Sequence, residues 1–178
     1  MTVTEIALDQ ERTDLLAALG RHRWFLTYTM QGLTDEQAAT RTTASELTLS
    51  GILHHLTETE MQWTDFIVHG PGAMTAAIAT WMDPAADLDP RSRFRLRDGE
   101  TLADALAAYA ELGARTHALI ASLPSLDADH ALPSAPWFEP GARWSARRVL
   151  LHLIAEISQH AGHADIVREA LDGQRTMG

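Results

Sequence analysis

The sequence contains no cysteine. This absence excludes disulfide bonds, cysteine-rich zinc sites and an internal thiol nucleophile, so any sulfur chemistry would need a thiol from outside the chain. Basic residues are also few: 14 arginine and lysine residues stand against 24 aspartate and glutamate residues, a formal net charge of −10. A nucleic-acid-binding face needs clustered positive charge, so we expect no nucleic-acid partner. The one basic stretch, RSRFRLR at 91–97, is predicted to be a solvated loop.

Long apolar segments are missing as well. No run of about 18 apolar residues occurs, and the opening MTVTEIALDQERTDLL lacks the charged and apolar regions of a signal peptide. We therefore expect a cytoplasmic protein without a membrane partner. The 178 residues, of which 46% are hydrophobic, are predicted to form one globular domain spanning residues 1–178.

Apolar residues that recur every three or four positions predict four long helices, at about residues 8–31, 47–69, 102–123 and 145–171. Thr34, Thr101 and Ser145 are predicted helix caps, and residues 72–82 predict a short additional helix. No segment alternates with period two, so we expect no sheet. The pattern predicts an all-α fold, a four-helix bundle with long loops between the second and third and between the third and fourth long helices.

Polar side chains interrupt the face that the fourth long helix should bury. His160 falls in the heptad register of Leu153 and Val167, and Glu156 and His163 flank it, all three within roughly 60° around the helix. The same reading of the second long helix points His55 inward and His54 to the other flank. Burying imidazole and carboxylate costs several kcal/mol unless each finds a partner, and one divalent metal satisfies several at once. Zinc, iron, nickel and manganese all suit these donors.

Two segments resemble a known family: TLSGILHHLTETEMQW at 48–63 and ARRVLLHLIAEISQHAGHADIVREALDG at 146–173. Together they are similar to the DinB-like superfamily of metal-binding four-helix bundles, and most to its actinobacterial branch with mycothiol-dependent enzymes. The resemblance implies one divalent metal, often zinc or nickel, held by a histidine of the second long helix and two ligands of the fourth.

His55 matches the first ligand of that family. Glu156 and His160 have the usual spacing of four, whereas the block HAGHAD favours His160 and His163. We predict His55, His160 and His163 as the metal ligands, with Glu156 as the catalytic carboxylate, acting as a fourth ligand or orienting a histidine.

The resemblance also implies an activity. We expect a metal-dependent thiol S-transferase or isomerase that uses mycothiol or a similar low-molecular-weight thiol, with the metal holding the thiol as thiolate. The partners would be this thiol and a small-molecule electrophile, and the chain is a possible homodimer. A metal-dependent hydrolase with Glu156 as general base, and a stress-related bundle that binds metal or ligand without catalysis, are the alternatives.

Further residues near the fourth long helix are predicted to bind the thiol. Arg147, Arg148 and Arg168 would meet its carboxylate or sugar hydroxyl groups, and Trp144 and Trp137 would line the mouth of the pocket.

Overall fold

The computed structural model describes residues 8–83, residue 85 and residues 95–176. The elements within them are α1 (Gln10–Tyr28), α2 (Asp35–Ala38), α3 (Leu49–His69), α4 (Gly72–Met82), α5 (Leu102–Ser122), β1 (Asp129–Ala131), β2 (Arg143–Ser145) and α6 (Ala146–Asp172). The expectation of a mostly helical protein is confirmed, including the short helix α4. Residues 91–94 of the basic stretch lie outside the described residues, and the single domain over 1–178 stays a prediction.

The helices begin where the sequence places a cap. The Thr34 hydroxyl accepts a hydrogen bond from the Gln37 amide and the Gln37 side chain bonds back, which is a complete capping box. Thr101 caps α5 in the same way, and the Ser145 hydroxyl accepts from the Arg148 amide at the start of α6. Gly173 ends α6 at φ 81°, in the left-handed conformation that glycine adopts without strain.

The four long helices pack in a ring. Helix α1 contacts α5 and α6, and helix α3 also contacts α5 and α6. Their apolar faces meet in one core that includes Leu19, Leu26, Ile52, Leu56, Leu153 and Ile157. The packing of α3 against α6 is what brings the predicted metal ligands of the two helices together.

A short hairpin corrects the expectation that the chain has no sheet. Strands β1 and β2 pair antiparallel, with His130 opposite Trp144. Each strand has three residues, too short to show a period-two pattern in the sequence. The Ala146 amide donates to the Ala128 carbonyl and the Arg147 amide to the Leu126 carbonyl, so the hairpin is fastened to the start of α6.

None of the helices in the part of the chain that the structure describes is long and apolar enough to cross a membrane.

Candidate metal site and cavity

Three side chains from two neighbouring helices converge on one point. His55 on α3 and Glu156 and His160 on α6 each offer one ligand atom, and these atoms all lie within 4.8 Å of one another. The ring centroids of His55 and His160 are 4.9 Å apart. Nε2 of His160 is 3.9 Å from Oε2 of Glu156, one helical turn away. All three residues are half-buried, so a bound ion would be partly shielded from water.

The donor set fits a divalent ion. Zinc binds imidazole nitrogen and carboxylate oxygen at about 2.0–2.2 Å, which places ligand atoms about 3.3 Å apart in a tetrahedral site. The three ligand atoms lie within 4.8 Å of one another, so they would have to approach each other by about 1.5 Å at most to bind one ion together. Burial, and then the neighbouring His163, lower the pKa of His160, which keeps its imidazole in the neutral form that binds metals. Three protein ligands also leave a coordination position for a small molecule.

His163 lies beside this group. Its Nδ1 is 3.4 Å from Nδ1 of His160, and the two ring centroids are 5.2 Å apart. Within the described residues, the group of mutually close ligand atoms contains Glu156 and not His163. The assignment of His163 as a metal ligand stays a prediction.

A cavity of about 630 Å³ opens beside the metal-ligand group. His55 and Glu156 are part of its wall, so a molecule inside it would lie next to any ion that these residues hold. The cavity is lined by His54, His55, Glu58, Thr59, Gln62, Trp63, Met74, Ala77, Ile78, Arg95, Leu96, Arg97, Trp137, Phe138, His152 and Glu156.

One wall of the cavity is aromatic. Trp63 stacks on Trp144 with ring centroids 4.7 Å apart and planes at 14°, and His152 meets both rings edge-on at 4.9 and 5.2 Å. Phe138, from the loop between β1 and β2, meets the Trp63 ring at 6.3 Å. Burial lowers the pKa of His152 against the opposing effect of the Glu156 carboxylate, so His152 presents a neutral imidazole to the cavity.

The predicted tryptophans have different places in this wall. Trp137 lines the cavity, whereas Trp144 lies behind Trp63, with the Arg148 guanidinium 4.3 Å from the centroid of its ring. Trp144 thus supports the wall through its stacking on Trp63.

The structure places the other predicted thiol-binding arginines away from the cavity. Arg147 forms ion pairs with Glu11 and Asp127. Arg168 is buried, and its guanidinium donates to the backbone carbonyls of Thr29 and Gln31 at 2.6 and 3.0 Å. Neither side chain is part of the cavity wall.

Two arginines of the basic stretch line the cavity instead. Arg95 and Arg97 are exposed, as expected for a solvated loop, but both contribute to the wall. Arg97 also forms an ion pair with Glu58 at 2.6 Å. In the sequence, only the local cluster of arginines pointed to Arg95 and Arg97. Such a cluster does not indicate which helix the loop packs against.

The fold and the site define a class of protein: a helical protein in which two imidazoles and one carboxylate, suited to a divalent ion, adjoin a cavity for a small molecule. A family model described as "Mycothiol-S-transferase" matches residues 14–173. The chain therefore belongs to the mycothiol-S-transferase family, which confirms the resemblance and implies a thiol partner. Searches of curated proteins and of solved structures gave no match.

Proposed function

We propose that this protein is a DinB-like four-helix bundle that joins mycothiol through its sulfur to a small electrophile, with a divalent ion held by His55, Glu156 and His160. The observation that supports this most is the convergence of these three ligand atoms beside a cavity, in a chain of a thiol transferase family. Because the chain has no cysteine, the sulfur nucleophile comes from the co-substrate.

The ion, when bound, lowers the pKa of a thiol so that it reacts as thiolate at neutral pH. His152 has the place and the protonation state to accept the thiol proton, since its neutral imidazole faces the same cavity as Glu156. The sulfur then forms a bond to the electrophilic carbon, and the leaving group departs with its electron pair. The proton passes from His152 to the leaving group or to water.

The lining of the cavity offers polar and apolar groups that suit the two substrates. Thr59 and Gln62 on α3 offer hydrogen-bonding groups, which we assign to the sugar hydroxyl groups of the thiol. Met74 and Ile78 on α4, with Phe138 from the hairpin loop, offer apolar surface, which we assign to the electrophile.

The test uses purified protein loaded with zinc, with mycothiol and monochlorobimane as substrates and bimane fluorescence as the readout. We expect thiol-dependent turnover that a chelator stops and zinc restores. His160→Ala should reduce the rate to background because it removes a ligand atom. His117→Ala is the matched control: His117 is exposed on α5, and this variant should keep the wild-type rate.

Equal turnover by wild type and His160→Ala would refute the proposal. Release of product from esters or amides without added thiol would favour the hydrolase. A protein that binds metal but gains no thermal stability from excess thiol would favour the non-enzymatic alternative.

A further inference from the structure

The two ring nitrogens of His160 face different neighbours. Nε2 faces the Glu156 carboxylate at 3.9 Å, on the side of the metal-ligand group. Nδ1 faces Nδ1 of His163 at 3.4 Å, within hydrogen-bonding distance. An imidazole that binds a metal through one nitrogen almost always donates the N–H of the other to an acceptor, which fixes its tautomer and its orientation.

We propose that His163 is a positioning residue: its Nδ1 accepts a hydrogen bond from Nδ1–H of His160 and so leaves Nε2 of His160 deprotonated and directed at the ion. This inference rests on the metal site of the proposed function. In this arrangement the proton of the neutral His163 ring is on Nε2, because Nδ1 is the acceptor.

The geometry favours this role over ligation by His163 itself. An ion shared by the two Nδ1 atoms would lie on the side of His160 away from the Nε2 atom that faces Glu156. It would therefore lose the carboxylate that, with His55, completes the three-residue group of the described chain. With His163 as acceptor, all three close ligand atoms remain available to the ion.

The experiment measures metal binding and needs no turnover. The dissociation constant for zinc is determined by competition with a chromophoric chelator, and the coordination geometry from the visible absorption of the cobalt(II)-substituted protein. His163→Ala and His163→Phe both remove the acceptor, and the second keeps the ring volume in case the first variant does not fold. His163→Asn restores an acceptor oxygen close to the position of Nδ1. His117→Ala and His55→Ala serve as the surface control and the ligand control.

We expect His163→Ala and His163→Phe to raise the dissociation constant about 10–100-fold, the range measured for partners that orient metal ligands. The cobalt bands should keep their positions, His163→Asn should recover most of the affinity, and His117→Ala should match wild type. His55→Ala should exceed this loss and change the cobalt spectrum.

Two results would overturn the inference. An unchanged dissociation constant in His163→Phe would show that no hydrogen bond to His160 matters. A cobalt spectrum altered in His163→Ala as it is in His55→Ala would show that His163 is a ligand. These two results can be distinguished from a failure of the proposed function. In that case the wild-type protein would bind no ion, or His55→Ala would bind the ion as tightly as wild type.

Discussion

Glu60 and Arg23 form a buried ion pair, and the structure allows the loss of stability on breaking this pair to be predicted. Glu60 of α3 has no exposed surface and Arg23 of α1 is 14% exposed. The carboxylate accepts two hydrogen bonds from the guanidinium, through Nε at 3.0 Å and through Nη2, and a third from the Thr116 hydroxyl at 2.5 Å. The pair thus joins α1, α3 and α5 at one point of the core.

Removing one partner of such a pair leaves the other charge buried without compensation. We expect Glu60→Leu to lower the free energy of unfolding by about 3–5 kcal/mol, and the midpoint of thermal unfolding by roughly 8–13 °C for a chain of this length. The double variant Glu60→Leu/Arg23→Met should recover most of this loss, since replacement of both charges by apolar groups is often neutral.

The assay is urea unfolding followed by far-ultraviolet circular dichroism, on wild type, both single variants and the double variant. Glu111→Leu is the matched control, because Glu111 pairs with Arg115 at 3.4 Å on the exposed surface of α5 and should change stability by less than about 1 kcal/mol. A loss for Glu60→Leu no larger than for Glu111→Leu, or a double variant as unstable as the sum of the singles, would refute the reasoning.

Two further predictions concern the backbone and the pH dependence of stability. Gly70→Ala should destabilise the fold by about 1–3 kcal/mol, because φ is +71° and a Cβ would lie 2.9 Å from Nδ1 of His130; Gly20→Ala, in a helix with open space around it, should instead stabilise it by up to about 1 kcal/mol. Thermal unfolding of both variants checks this pair, and equal effects would contradict it. Hydrogen bonds from Arg168 hold the pKa of Asp172 below 3.8, its ordinary value, so the pair stabilises the fold above pH 3.8 and the contribution is lost as the pH falls through the lowered pKa. Asp172→Asn should therefore show a shallower loss of stability between neutral and acidic pH in urea titrations, and an unchanged pH profile would speak against this.

The helices could be predicted from the sequence because their signals are local. The apolar periodicity, with the caps at Thr101 and Ser145, put the ends of the four long helices within three residues of where the structure has them. The side of α6 that carries the site followed from the same periodicity.

Which of Glu156 and His163 has a ligand atom close to those of His55 and His160 could not be decided from the sequence. Glu156 and His163 both flank His160 on one face of α6, and the choice between them depends on where α3 holds His55. That position is set by packing between helices, which the spacing along one helix does not contain.

The burial of Glu60 could have been predicted from its position in the apolar stripe of α3. Glu60 is four residues after Leu56 and three before Trp63, so it occupies the vacant position in the apolar stripe of α3. Its partner on α1 has the same signal, because Arg23 is four residues after Leu19 and three before Leu26, both of which are buried.

The candidate metal ligands and part of the aromatic lining of the cavity come from different elements of the fold. The ligand atoms belong to α3 and α6, whereas Trp137 and Phe138 belong to the loop that β1 and β2 close. The strand pairing and the bond from the Leu132 amide to the Ala142 carbonyl close this loop at its base, apart from the helices that carry the candidate ligands. The aromatic lining of the cavity can therefore vary in sequence without displacing the three side chains that could hold an ion.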